Sequence, residues 1–281
     1  MPIYEQTYRR HEARGPLRRV RFWPITREAL RLILARRAFL ILLMMSWLPF
    51  VIRVIQIYVI TRFPEVNRIL PVDGRLFGDF LGWQALIAMF ITIFAGAGLV
   101  AGDLRTGAIL VYLSRPLTRR DYVLGKLAVL LLLNLFITLV PGLVLYLLAL
   151  GLAPDQFGKW SVAWIGPAVV VDSLVISAVI SVIALAISSL SRSARVAGIG
   201  FFGLLMGLEI TRKTLYAIYG RPETALVSPL GALYSVGVAL FDLADRALTL
   251  PWLYTAAVLA LLSAACLLIL RSRVRAVEIV Q

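Results

Sequence analysis

Three ionisable side chains fall inside or at the rim of strongly apolar runs: Arg53, Asp172 and Glu209. A charge in hydrocarbon is costly, so residues of this kind mark candidate ion or substrate pathways. Arg53 lies near one end of its run, where a long basic side chain can reach the interface. Asp172 lies within the run Val162–Leu190. A helix of that length exceeds a hydrocarbon core of roughly 30 Å, so its first turns can protrude and leave Asp172 near an interface. Arg53 is the candidate partner of Asp172, and the two form a candidate transport path. Glu209 reads as the outer end of its run.

Other chemistries lack their residues. A phosphate-binding loop needs G-x-x-x-x-G-K-[ST]. Gly125-Lys126 is followed by Leu127, and the Gly102–Gly107 spacing is followed by Ala108. The chain is therefore expected not to hydrolyse ATP itself. "GIGFFG" (Gly198–Gly203) has the dinucleotide spacing but sits in an apolar run rather than after a strand. It reads better as helix packing, with Gly203 and Gly207 a small-xxx-small pair, as are Gly98 and Gly102; Ser173, Ser177 and Ser181 repeat the pattern. An intramembrane aspartyl protease needs two opposed aspartates, a zinc protease needs H-E-x-x-H, and a rhomboid needs a histidine in a span. The sole histidine, His11, is in an Arg-rich tail, and the sole cysteine, Cys266, is in an apolar run. No catalytic and no metal residues are assigned.

The elements that must position these residues are membrane spans. Apolar residues make up 60% of the 281-residue chain, and the mean hydropathy is +0.89. A soluble domain has about 45–50% apolar residues. Six spans are expected: Ala38–Ile60, Phe80–Ala101, Tyr122–Leu150, Val162–Leu190, Val196–Ile210 and Pro251–Leu270. The N-terminus is expected not to be a signal peptide, because a long basic stretch precedes the first apolar run.

The net charge of +14 is concentrated on alternate connections. The tail through Arg37 holds ten arginines against three acids. Arg105, Arg115, Arg119, Arg120 and Lys126 follow the second span, Arg192 and Arg195 the fourth, and Arg271, Arg273 and Arg275 the sixth. Cytoplasmic loops carry such an excess. The pattern fits both termini in the cytoplasm and explains the basic character without nucleic acid. Arginine outnumbers lysine, 26 to 3, which fits a prokaryotic source.

Two segments are expected to add helices that do not cross. In 1–37, "PITREALRLILARRAFL" places Leu30, Ile33, Leu34 and Ala38 on one face and Arg27, Arg31, Arg36 and Arg37 on the rest. That is a basic amphipathic helix suited to a membrane surface, with Arg27, Arg31 and Leu34 contacting lipid. Thr26 is its expected N-cap. The outer segment 212–250 includes an uncharged stretch, Ala225–Phe241, interrupted by "SPLG" (Ser228–Gly231). It is expected to hold one or two helices that dip into or lie on the membrane, packed against protein.

Between the second and third spans, 102–122 reads as a short helix, an elbow and a capped long helix. Asp103 is the expected N-cap of the first. Leu104, Ile109, Tyr112 and Leu113 share a face, and Pro116 ends it. Thr118-Arg-Arg-Asp121 is a capping box that starts the third span, with Leu117 and Tyr122 flanking it as a staple. The segment reads either as an ordinary basic inner loop or as a rigid knuckle made to dock on another protein.

The segment resembles the membrane subunits of ATP-binding-cassette type-2 transporters, the permease class that shares the type V exporter fold. The resemblance is carried by Asp103, Gly107, Ile109, Leu113, Ser114, Pro116, Leu117, Thr118, Arg119, Tyr122, Leu124, Gly125 and Lys126. Asp103 replaces a glutamate, Ala108 a threonine and Tyr112 a leucine. "LVSPLGALY" (Leu226–Tyr234) is similar to the family's stretch before its last span.

The resemblance implies an all-α polytopic membrane protein: an N-terminal interface helix in 1–37, a six-span domain over 38–270 and a cytoplasmic tail over 271–281. It implies a permease of an ATP-driven exporter in a bacterial cytoplasmic membrane. Two copies of a separate ATPase would hold ATP and Mg²⁺, and a second permease copy would complete a homodimer. Coupling would use Asp103, Arg105, Gly107, Leu113, Ser114, Arg115, Pro116, Leu117, Thr118, Arg119, Arg120, Asp121 and Lys126. The alternatives are a membrane anchor or regulatory subunit for an ATPase, and a secondary carrier or channel; the latter usually shows interrupted helices repeated in its two halves.

Overall fold

A computed structural model describes residues 22–63, 73–108, 118–152, 163–243 and 252–273. The tail 1–21 and the stretch 109–117, which holds Leu113, Ser114, Arg115, Pro116 and Leu117, lie outside the described residues.

The chain is an all-α polytopic membrane protein. Six helical units are long and apolar enough to cross a bilayer. Helix α1 (Trp23–Leu34) precedes them. The first span is α2 (Arg37–Met45) followed by α3 (Leu48–Arg62). The second is α4 (Gly74–Gly96) with α5 (Ala101–Thr106), and the third is α6 (Arg119–Leu152). The fourth, fifth and sixth are α7 (Ile165–Leu190), α8 (Ala194–Tyr219) and the last helix (Trp252–Arg273). Between α8 and that last helix come a 3₁₀ turn, Pro222–Val227, and α9 (Pro229–Leu240); the last helix is α10. Helix α7 is central, packed on α4, α6, α8 and α10.

The boundaries differ from the expected ones for local reasons. The first span breaks at Ser46-Trp47, because Pro49 opens α3 and has no N–H to continue a helical ladder. Gln84 on α4 reaches the break and donates its Nε2 proton to the Ser46 carbonyl, 3.1 Å away. The second span starts earlier than Phe80, where the Asp73 carboxylate accepts from the Arg75 backbone N–H at 2.9 Å and caps α4. The fifth span does not stop at Ile210. Arg212 folds back on Glu209 within the same helix, at 2.6 Å, so the helix carries the pair on to Gly220, whose φ of 62° ends it.

"SPLG" ends the 3₁₀ turn and opens α9. Ser228 is the N-cap of α9, accepting from the Gly231 N–H at 3.3 Å, and Pro229 takes a position where no N–H is needed. At 12 residues α9 is too short to cross. Its buried side, including Ala232, Leu233 and Val236, packs on α4, α7, α8 and α10.

Helix α1 lies against α6, and that contact sets its orientation. The buried face is Ile25, Thr26, Ala29 and Ile33. Leu34, Ala38, Arg27 and Arg31 face outward, so the apolar stripe is rotated from the expected one. Thr26 is no N-cap: the helix starts at Trp23, and the Thr26 hydroxyl donates to the Gly125 carbonyl on α6 at 3.0 Å. Gly125 permits the approach, since a Cβ there would lie 3.1 Å from Ile25 Cβ. Among the small-residue pairs, Gly203 and Gly207 have open space around them and serve no helix contact among the described residues.

Candidate functional site

One site forms where the second span ends and the third begins. Ser188 of α7 bridges the turn between α4 and α5. Its hydroxyl accepts from the backbone N–H groups of Val100 and Ala101, at 3.2 and 3.1 Å, and donates to the Ala97 carbonyl at 2.9 Å. The turn would otherwise leave these groups unpaired away from water. With this support α5 runs to Gly107, where a φ of 69° turns the chain.

The acid of α5 is held by α6. Lys126 Nζ lies 2.7 Å from Asp103 Oδ2, and the Tyr122 hydroxyl donates to the same oxygen at 2.8 Å. Tyr122 is buried, and the Lys126 side chain is 7% exposed. Asp103 is therefore not the cap of a new helix; it falls in the first turn of α5, and its carboxylate points across to α6. The first turn of α6 is closed by its capping box. Asp121 Oδ2 accepts from the Thr118 backbone N–H at 3.0 Å, and Thr118 Oγ1 accepts from the Asp121 N–H at 3.2 Å. The Thr118 hydroxyl also donates to Asp121 Oδ2, at 2.8 Å.

Basic residues crowd this end of the bundle. Arg119, Arg120 and Arg271 line a groove with Leu267 and Leu268. Arg36, Arg105 and Arg195 line another beside Asp103 and Lys126. Arg105, Gly107, Arg119 and Arg120 face outward. Basic, exposed side chains of this kind suit a surface that is acidic or rich in carbonyl groups.

A second site lies at the opposite end. A partly open cavity of about 450 Å³ lies between α4, α7, α8 and α9, and it is lined by Asp172, Glu209, Arg212 and Lys213 on largely apolar walls. Glu209 is satisfied: it accepts from Arg212 Nε at 2.9 Å, Arg212 Nη2 at 2.6 Å and the Ser228 hydroxyl at 2.8 Å. Asp172 is 3% exposed, and its Oδ1 has no hydrogen-bond partner among the described residues. Arg53 does not join it. Arg53 Nη1 donates to Gln56 on its own helix at 2.7 Å, and Arg53 is not part of the cavity lining.

The family model described as ABC-2 family transporter protein matches residues 83–271, from within α4 to near the end of α10. The chain belongs to the ABC-2 transporter family. No curated protein matches the sequence. As an ABC-2 member it is a multi-pass membrane transport permease.

In this permease the structure joins Asp103 to Lys126 and Tyr122, closes the Thr118–Asp121 box at the start of the same helix, and leaves Arg105, Arg119 and Arg120 exposed near them. Several residues that build the two sites carry no sequence signal. Ser188 sits among several serines, and only the fold shows which one reaches the turn. Thr26 acts across 99 positions of chain. Tyr122 was legible as a staple; its hydroxyl bond to Asp103 was not. A buried cluster, in which Asn134 Nδ2 donates to Thr92 Oγ1 at 3.0 Å and to Ser181 Oγ at 3.1 Å, ties α4, α6 and α7 at mid-span.

Proposed function

We propose that this ABC-2 permease is the membrane subunit of an ATP-driven exporter, moved by a separate ATPase that holds the ATP and Mg²⁺. The observation that carries the proposal is the junction of α5 and α6. Asp103, Tyr122 and Lys126 lock the end of one span to the start of the next, so a push on the exposed face there moves two spans as a unit. An ATPase that binds two permease conformations unequally shifts the equilibrium between them. The docking surface is the basic face of 102–126, with Arg105, Arg119 and Arg120 as its described charges and Arg115 beside them in sequence.

The orientation follows from the same charges. The Arg-rich end faces the cytoplasm of a prokaryotic cell, both termini lie there, and the cavity under α9 faces outward. Two ATPase copies serve two permease copies. The open face at Gly203 and Gly207 on α8 offers close approach to a partner helix. Helix α1 rests on the membrane surface through Arg27 and Arg31, pinned to α6 by Thr26.

The test is co-expression with a candidate ABC ATPase, followed by co-purification, ATPase stimulation and ATP-driven transport into inverted vesicles. The permease is expected to bind the ATPase and raise its turnover. Arg115→Glu with Arg119→Glu is expected to abolish both while leaving the permease monodisperse. Assembly and stimulation equal to wild type would sink the docking assignment.

A further inference from the structure

The cavity under α9 holds a carboxylate that makes no ion pair among the described residues. Asp172 is 3% exposed, and no cation pairs with it among the described residues. The other charged groups on the cavity are accounted for. Arg212 is engaged twice by Glu209, which also takes the Ser228 hydroxyl. Lys213 also lines the cavity, is exposed and lies near Glu209. Gly237 of α9 lets the backbone close over the acid: a Cβ there would sit 3.3 Å from Asp172 Oδ2. Burying an unpaired carboxylate costs several kcal/mol, and a cation placed against it recovers much of that cost. The remaining wall is apolar, with Ala85, Leu86, Ile176, Met206, Leu233 and Val238. The volume of about 450 Å³ falls in the ordinary range for small-molecule sites.

We propose that this cavity binds an organic monocation, a protonated amine on an apolar body, with Asp172 as its counter-ion. It names a substrate class for the exporter and rests on that reading for its role in transport. The binding itself needs neither ATPase nor nucleotide. The ammonium pairs with the Asp172 carboxylate at the cavity wall, and the apolar body lies along Ile176, Met206 and Leu233. A neutral analogue of the same shape leaves the carboxylate unpaired and binds less well.

The test uses dansylcadaverine, a fluorescent primary ammonium, and its neutral N-acetyl derivative. Anisotropy is read on the full chain in lipid nanodiscs, with empty nanodiscs subtracted. The cation is expected to bind at least about tenfold tighter than the acetylated form, about 1.4 kcal/mol. Asp172→Asn is expected to bring the two affinities together. Gly82→Leu, which fills the cavity and keeps the acid, is expected to weaken the cation. Equal affinities in the wild-type protein overturn the proposal without any variant, and so does an unchanged preference in Asp172→Asn. Loss of this preference beside intact ATP-driven transport of other cargo removes the cation site alone. A retained preference without ATPase stimulation removes the exporter reading alone.

Discussion

The ammonium of Lys126, on the first turns of the third span, sits 2.7 Å from the carboxylate of Asp103 at the end of the second. The two residues are buried unequally. The Lys126 side chain is 7% exposed and that of Asp103 18%. Breaking a buried pair by removing one partner costs about 3 kcal/mol or more, because the other charge stays behind. Asp103→Asn takes the carboxylate from the more buried charge, so it should destabilise the permease more than Lys126→Met does. A double-mutant cycle read by detergent-induced unfolding should give a coupling of at least about 1 kcal/mol. Additive losses would mean that the pair does not join the spans.

Ser188 makes three bonds at the α4–α5 turn with one hydroxyl. Ser188→Ala removes the acceptor for two backbone N–H groups, a loss comparable to losing a helix cap, about 1–2 kcal/mol. The local effect is the sharper readout. Hydrogen exchange at Val100 and Ala101 should accelerate while exchange in the middle of α7 stays slow. Unchanged protection at those two amides would show that the cap is dispensable.

What the sequence made legible follows from what is local. Span number came from the length of apolar runs, and the Thr118–Asp121 box from spacing inside one turn. Both are properties of neighbouring residues. The errors fall where a distant contact decides. The face of α1 is set by Thr26 meeting Gly125, which periodicity in 22–38 cannot register. The fifth span passes Ile210 because Arg212 cancels Glu209 one turn away, whereas a charge in isolation reads as an end. Asp103 fits an N-cap by type, yet its carboxylate is claimed by Tyr122 and Lys126. Arg53 and Asp172 looked like a pair only because both charges sit in apolar runs.

Asn134 is the mid-span counterpart of the Asp103 junction, but neutral. Interhelical hydrogen bonds within membranes average about 0.6 kcal/mol and reach about 1.7. Asn134→Leu leaves the buried hydroxyls of Thr92 and Ser181 without that partner, and about 1–2 kcal/mol should be lost. Combining it with Thr92→Val and Ser181→Ala removes the stranded groups as well, so stability should partly return. A triple variant less stable than Asn134→Leu alone would show that packing, not polar satisfaction, governs this level of the bundle.

Gly231 sits under Arg212 where α9 begins. A Cβ at Gly231 would collide with Arg212 Cδ, lie 2.8 Å from its Nε and lie 3.1 Å from the Ala225 carbonyl oxygen. Arg212 is fixed by its two bonds to Glu209, and Glu209 also holds Ser228, the cap of α9. One methyl group therefore strains a network that joins the fifth span to the cover of the Asp172 cavity. Overpacking of this kind costs about 1–3 kcal/mol, and Gly231→Ala should fall in that range by unfolding measurements. Arg212→Ala removes most of the obstruction, at the expense of freeing Glu209. On that background Gly231→Ala should cost less than it does alone, so the two changes should be clearly non-additive. Equal costs on both backgrounds would place the strain at the Ala225 backbone instead.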